Sequence, residues 1–206
     1  MKEFNKLASE DVINKTVEAL KQNGIEAFVA ESGEEAKKKV YELVPKGSEI
    51  MIMTSETLRT LGIEQEINES ADYVAIKKKI AAMGKDQARE KKMLGAAPEV
   101  AMGSVHAVTE DGRVLIASNT GSQLPAYAYG ADNVVWVVGA QKLVKDVEEG
   151  KKRIYEYVLP LETVRARKAY GLPETWNSNP SKILEVSREV TPGRIKMVIV
   201  KEVLGF

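Results

Sequence analysis

The chain has 206 residues, with 30 basic side chains against 30 acidic ones, 44% hydrophobic residues, one histidine and no cysteine. This size and composition suit a single globular domain over residues 1–206, and the balanced charge offers no basic field for nucleic acid or an acidic membrane surface. Without cysteine there are no disulfides, no thiol nucleophile and no thiolate-held zinc or iron–sulfur cluster. With one histidine there is no His-rich metal site either, so no resident metal is expected.

Residues 1–7 are charged rather than apolar, and no run approaches the ~20 apolar residues that a membrane span needs. The expectation is a cytoplasmic protein. Ser9, Glu10 and Asp11 predict a helix start, with acids near the positive end of the dipole. Val12, Ile13, Val17 and Leu20 then follow at helical spacing, and Gly24 stands where a C-terminal cap belongs. A strand is expected over 25–30. Ser32, Gly33, Glu34 and Glu35 read as a capping box opening a helix to Val44. Pro45 and Gly47 stop it before a buried strand over 49–53. Thr54, Ser55 and Glu56 start the next helix. Their hydroxyls are ordinary caps, and they also stand where an open α/β sheet places its ligand crevice.

A short helix is expected over 63–70, a strand over 72–76, a solvated basic patch at Lys77, Lys78 and Lys79, and a polar surface helix over 85–94 ended by Gly95. Next come a strand over 99–102, a strand over 106–109, the turn Glu110, Asp111, Gly112, and a strand over 113–118. An Asp-Gly turn between β-rich runs is a strong hairpin signal. A helix follows Gly121, carrying Tyr127 and Tyr129. Residues 133–139 form the most hydrophobic run and read as a central strand. Helices are expected over 144–158 and 161–170, separated by Pro160. A loop over 172–180 with Trp176 is long enough to serve as a lid or partner surface. Strands over 182–187 and 194–203 should close the chain as an antiparallel hairpin on a sheet edge. Alternating helices and strands of this kind predict an α/β fold with a mainly parallel sheet.

The chemistry concentrates in residues 102–123. Gly103 and Ser104 form a loop after a strand. Asn119, Thr120, Gly121 and Ser122 form a second loop that leads off a strand into a helix, where backbone N–H groups and hydroxyls suit a phosphate or carboxylate. His106 is a candidate general base or orienting donor, because its unperturbed pKa lies near neutrality. Asp111 reads as the turn former. If the strand extends through Glu110, that residue, two and four positions beyond Val108 and His106, shares their face and could act as general base or nucleophile.

These residues resemble a known family. Met102 and Gly103, then the run from Ala107 to Leu115 with Glu110 and Gly112 in its turn, are similar to the signature of LUD (lactate-utilisation) domain proteins, the LutC/YkgG-like family. That signature has Glu-Thr-Gly-Thr in the turn, and here Asp111 and Arg113 stand where threonines are usual. Residues 121–125 and the apolar strand to Gly139 continue the likeness along most of the chain. The resemblance implies a three-layer α/β/α fold of the NagB/RpiA/CoA-transferase group. It also implies a role in oxidation of L-lactate beside an iron–sulfur partner protein.

Three functions compete. The first is a LUD-type protein of organic-acid metabolism, binding a small carboxylate or phosphorylated ligand at Gly103, Ser104, Asn119, Thr120, Gly121 and Ser122, with His106 and Glu110 as the reacting or recognising side chains. The second is a stand-alone sugar-phosphate isomerase or CoA transferase, with Glu110 as base or nucleophile. The third is a non-catalytic sensor or assembly subunit that uses Trp176, Tyr127 and Tyr129 as partner surface. The residues name no particular cofactor, and a homo-oligomer is compatible with all three.

Overall fold

In the computed structural model, residues 4–206 are described. The first helix, α1 (Glu10–Gln22), leads to β1 (Glu26–Ala30), and α2 (Gly33–Leu43) leads to β2 (Glu49–Ile52). After α3 (Glu56–Thr60), α4 (Ile63–Glu69), the two-residue β3 (Val74–Ala75), α5 (Ile76–Ala82) and α6 (Ala88–Ala96) comes β4 (Val100–Gly103). Three of these helices open on a serine whose side chain accepts an orphan amide proton. Ser9 Oγ accepts from Val12 N at 3.4 Å, Ser32 Oγ from Glu35 N at 3.3 Å, and Ser55 Oγ from Leu58 N at 3.3 Å. In the α2 box the Glu35 carboxylate reaches back to the Glu31 amide rather than to that of Ser32.

Strands β5 (Ala107–Thr109) and β6 (Val114–Ser118) follow, then β7 (Asn133–Gly139), β8 (Leu143–Val144), α7 (Val147–Arg153), α8 (Leu159–Tyr170), β9 (Lys182–Val186) and β10 (Ile195–Val200). Six strands make a wholly parallel sheet in the order β1-β10-β7-β4-β2-β3. A strand covered on both faces reads as continuous apolar sequence, and β7 shows why. Val135 and Val137 face the layer made by α2, α3 and α4, while Val134, Trp136 and Val138 face a second core shared with α1. The fold class anticipated from the helix–strand rhythm is the one observed.

The opposite face carries more than helices. A second, four-stranded sheet, ordered β8-β5-β6-β9, packs Val108, Val114 and Ile116 into the α1-side core and turns Ala107, Leu115 and Ala117 toward α7. Here one expectation fails. Residues 182–186 and 195–200 do not form a terminal hairpin: β9 lies antiparallel to β6 in the second sheet, whereas β10 inserts parallel between β1 and β7. The Thr191, Pro192, Gly193 turn signal is real but leads from one sheet to the other. The uniformly buried pattern of Met197 to Val200 is what a central strand requires.

Pro160 also does not interrupt the helix. A π-helical turn, Ile154–Val158, joins α7 to α8, and Pro160 sits in the first turn of α8. The wider turn accommodates the proline ring and its missing N–H.

One buried cation locks the β7–β10 end of the sheet. Arg194 donates to the carbonyls of Ala131 (2.9 Å), Ala126 (3.1 Å) and Tyr127 (3.0 Å), and pairs with Glu189 at 2.6 Å. Among the described residues no helix is long and apolar enough to cross a membrane.

Candidate functional site

Parallel strands that all end on one side leave a crevice beyond their carboxyl ends. Here β2, β4 and β7 run out into a cleft of about 450 Å³. Its walls are residues 54–57 after β2, 104–106 after β4, 117–123 after β6, Lys142 after β7, the helical face Ile154 to Tyr170, the loop 176–180 and Phe206.

Of the residues singled out from the sequence, His106, Ser104, Asn119, Thr120 and Ser122 line this cleft. Their roles are narrower than expected. Ala117 N donates to His106 Nδ1 at 3.1 Å. Nδ1 is therefore an acceptor and the proton of the neutral ring sits on Nε2. Burial pushes the His106 pKa down to about 3, helped by the positive charges of Lys142 and Arg153. Near neutral pH His106 thus offers the cleft an N–H donor and not a base.

The loop 118–122 spends two of its backbone donors on itself. Gly121 N donates to Ser118 Oγ at 2.9 Å and Ser122 N to Thr120 Oγ1 at 3.3 Å. What faces the cleft is side-chain amide and hydroxyl. Gly121 has φ +85°, and a Cβ there would press on the Lys182 side chain at 2.6 Å. It is a backbone requirement. Gly103 is likewise explained by packing, because a Cβ would collide with the Tyr127 hydroxyl. Neither glycine lines the cleft.

Glu110 stands apart. Its backbone N donates to Val144 O at 2.9 Å, and its carboxylate leaves the hairpin outward to pair with Lys15 of α1 at 2.7 Å. The shared face with His106 and Val108 ends because β5 ends at Thr109. The turn beyond it is closed by Gly112 (φ +80°), with Asp111 accepting from Arg113 Nε and Nη2 at 3.0 and 2.7 Å. Asp111 is the turn former expected. Of the aromatics, Tyr127 is buried against Trp136, Tyr129 is exposed, and Trp176 forms part of the cleft wall.

The residues that sequence reasoning missed are cationic. Lys142, on the short turn Ala140–Lys142, is only 2% exposed yet contributes to the cleft wall. Its Nζ lies 3.2 Å from Thr57 Oγ1, Ser104 Oγ and Val105 O. No carboxylate among the described residues pairs with it. Burial, and then the charge of Arg153, hold its pKa well below the ordinary lysine value.

Arg153 is fully buried behind the cleft. It donates from Nη1 to His106 O at 2.6 Å and stacks its guanidinium over Tyr157 at 5.2 Å, while Nε and Nη2 find no partner among the described residues. Arg165, on the opposite wall, is by contrast neutralised by a two-pronged pair with Glu162 (2.6 and 2.7 Å), with Glu56 at 3.8 Å. The signal for Lys142 was legible. Gln141 and Lys142 break an apolar run from Val134 to Val144, where no side chain can snorkel out.

Comparison with known proteins places the geometry in context. A DUF162 family protein from Deinococcus radiodurans superposes with a TM-score of 0.53 at 10% identity, over 95% of this chain and 99% of that one. That is a likeness of fold. A second solved structure, eIF2B beta from Chaetomium thermophilum, reaches a TM-score of 0.37 at 14% identity over 68% of this chain and 48% of that one. No curated protein matches the sequence. The LUD domain profile matches residues 13–200, nearly the whole chain, and the protein belongs to the LUD domain family.

Proposed function

We propose that this LUD-domain protein binds a small organic anion, a carboxylate such as L-lactate or pyruvate or a phosphorylated compound, in the cleft beyond β2, β4 and β7. The observation that carries the reading is Lys142. A buried amine on the cleft wall, backed by the buried Arg153 and opposed by no carboxylate, leaves the site short of negative charge. Buried charges are ordinarily paired, and the other charged groups of the cleft already have partners, Glu162 in Arg165 and Glu56 in Arg59. An anion seated beside Lys142 accepts hydrogen bonds from the amine and answers the unpaired charge of Arg153 behind it. His106 Nε2–H, the Ser104 hydroxyl and the side chains of Asn119, Thr120 and Ser122 provide uncharged hydrogen-bonding groups for the rest of the ligand.

Organic-acid metabolism is the setting this chemistry and the family suggest. Cluster chemistry is foreign to the chain itself, because 206 residues without a cysteine contain no thiolate to hold an iron–sulfur centre. In lactate oxidation the electrons would pass to a separate iron–sulfur protein, and the cleft would act on the carboxylate end of the reaction.

A thermal-shift panel with L-lactate, pyruvate, ribose 5-phosphate, acetyl-CoA, a folate, NAD and inorganic phosphate tests the proposal. A ligand at ~100 times its dissociation constant adds roughly 2.7 kcal/mol, or about 5–10 °C for a chain of this size. The expected result is a shift for at least one small anion, lost in Lys142→Met. A flat panel, or a shift that survives Lys142→Met unchanged, would overturn it.

A further inference from the structure

We infer that Lys142 is a nucleophile, and that the cleft takes small anions carrying an aldehyde or ketone, which condense with its amine to form an imine. The inference rests on the anion-binding reading above and adds a covalent step to it. Three features of the geometry point there. Lys142 is almost wholly buried yet contributes to the wall of an open cleft, as do Thr57, Ser104 and Val105, the three residues its amine contacts. Water is therefore scarce around the amine while a ligand can still reach the pocket beside it. Its three neighbours are two hydroxyls and a carbonyl, none of them a carboxylate that would hold it permanently as an ammonium. A second buried cation, Arg153, sits close behind. Desolvation together with a cationic neighbour is the environment that turns lysine into a nucleophile near neutral pH.

The groups facing Lys142 agree with this. His106 and Arg153 are the titratable groups that share its field: the Arg153 charge disfavours an ammonium, and the neutral His106 adds no charge of its own near neutral pH. Across the cleft, Glu162 pairs with Arg165 beside Tyr170, and Glu56 pairs chiefly with Arg59, so the two carboxylates are answered there by two guanidinium groups. His106, with its proton on Nε2, can hydrogen-bond a carbonyl oxygen and polarise it but cannot take the proton from an ammonium. The step balances without any redox partner. The Nζ lone pair attacks the carbonyl carbon, a C–N bond forms, and the carbonyl C–O bond breaks. The oxygen then departs as water with the two amine protons, leaving a carbon–nitrogen double bond.

The test is reductive trapping on the full chain. The protein is incubated at neutral pH with pyruvate or, separately, with ribose 5-phosphate in the presence of cyanoborohydride, then read by intact mass and peptide mapping. Surface lysines with an ordinary pKa of about 10.4 are protonated there and react slowly. The expected product is a single adduct on Lys142, and the arm that gives it says whether the anion is a carboxylate or a phosphate. L-Lactate, which has no aldehyde or ketone, should form no adduct and should slow trapping by pyruvate.

Lys142→Arg should abolish the adduct while keeping a folded circular-dichroism spectrum. Arg153→Met should move the pH profile of trapping upward, because it removes a charge that keeps the amine deprotonated. Adducts confined to surface lysines, with calorimetry still showing anion binding, would overturn the imine and leave the anion site standing. Absence of both adduct and anion binding would overturn the two together.

Discussion

Two buried arginines on the same scaffold face very different surroundings. Arg194 has a carboxylate at 2.6 Å and three backbone carbonyls within 3.1 Å, so its buried charge and most of its donors are answered by the protein. Arg153 is more deeply buried and has one carbonyl and one aromatic face. The first joins the chain before β7 to the start of β10. The second leaves an unanswered positive charge behind a cleft, close to the Lys142 amine. A satisfied buried ion is what a structural joint looks like. An unsatisfied one beside a cavity is a candidate functional device, because its cost is accepted where a ligand can repay it.

The largest expected effect breaks the satisfied side of this pair. Arg194→Met leaves Glu189 buried without its cation and removes the side-chain donor from three carbonyls, and should cost about 3–5 kcal/mol in urea denaturation. Arg153→Met removes one hydrogen bond and relieves an orphaned charge, so its loss should stay below about 1.5 kcal/mol. Equal losses for the two variants would erase the distinction.

Next in size is the acid limb of stability. The folded protein holds the His106 pKa near 3, below the 6.5 of the unfolded chain. The unfolded state therefore binds the extra proton first as pH falls. Stability from this group is intact above about pH 6.5 and is lost progressively toward pH 3, by up to about 4 kcal/mol. His106→Asn should flatten that limb when unfolding free energy is followed against pH. An unchanged slope would mean that the histidine titrates normally.

The smallest effect is at Glu110. Its pair with Lys15 is solvent-accessible, so Glu110→Gln should change stability by less than about 1 kcal/mol. It should also leave the anion-induced thermal shift intact. Loss of that shift would return Glu110 to the functional site and contradict its outward placement.

Much of this was readable from residue order alone, and the physical reason differs from place to place. Serine caps and apolar spacing located α1 and α2, because capping and amphipathicity are local. The apolar run at β7 declared a strand buried on both faces. The loops bearing Ser104, His106 and residues 119–122 were recognised because they follow strands that a parallel sheet aligns. The partner of β10 was not readable. A strand preceded by a turn looks like the second arm of a hairpin, and only the packing of β1 and β7 decides that it goes elsewhere. Glu110 was misplaced because the face it shares with His106 ends one residue earlier, at Thr109. Arg153 looked like an ordinary cation suiting a helix C-terminus, and its burial depends on a second sheet that no local pattern announces.

The position of β10 bears on how the protein is made. β1 is made long before its one partner in the sheet, β10, with Glu26 opposite Lys196. Until β10 has been made, β1 has no partner and β7 lacks a neighbour on one side. Such long-range parallel pairing is slow, and it leaves strand edges exposed in the meantime. The nascent chain should therefore depend on holding factors until β10 has emerged, and refolding from denaturant should be limited by the insertion of that one strand.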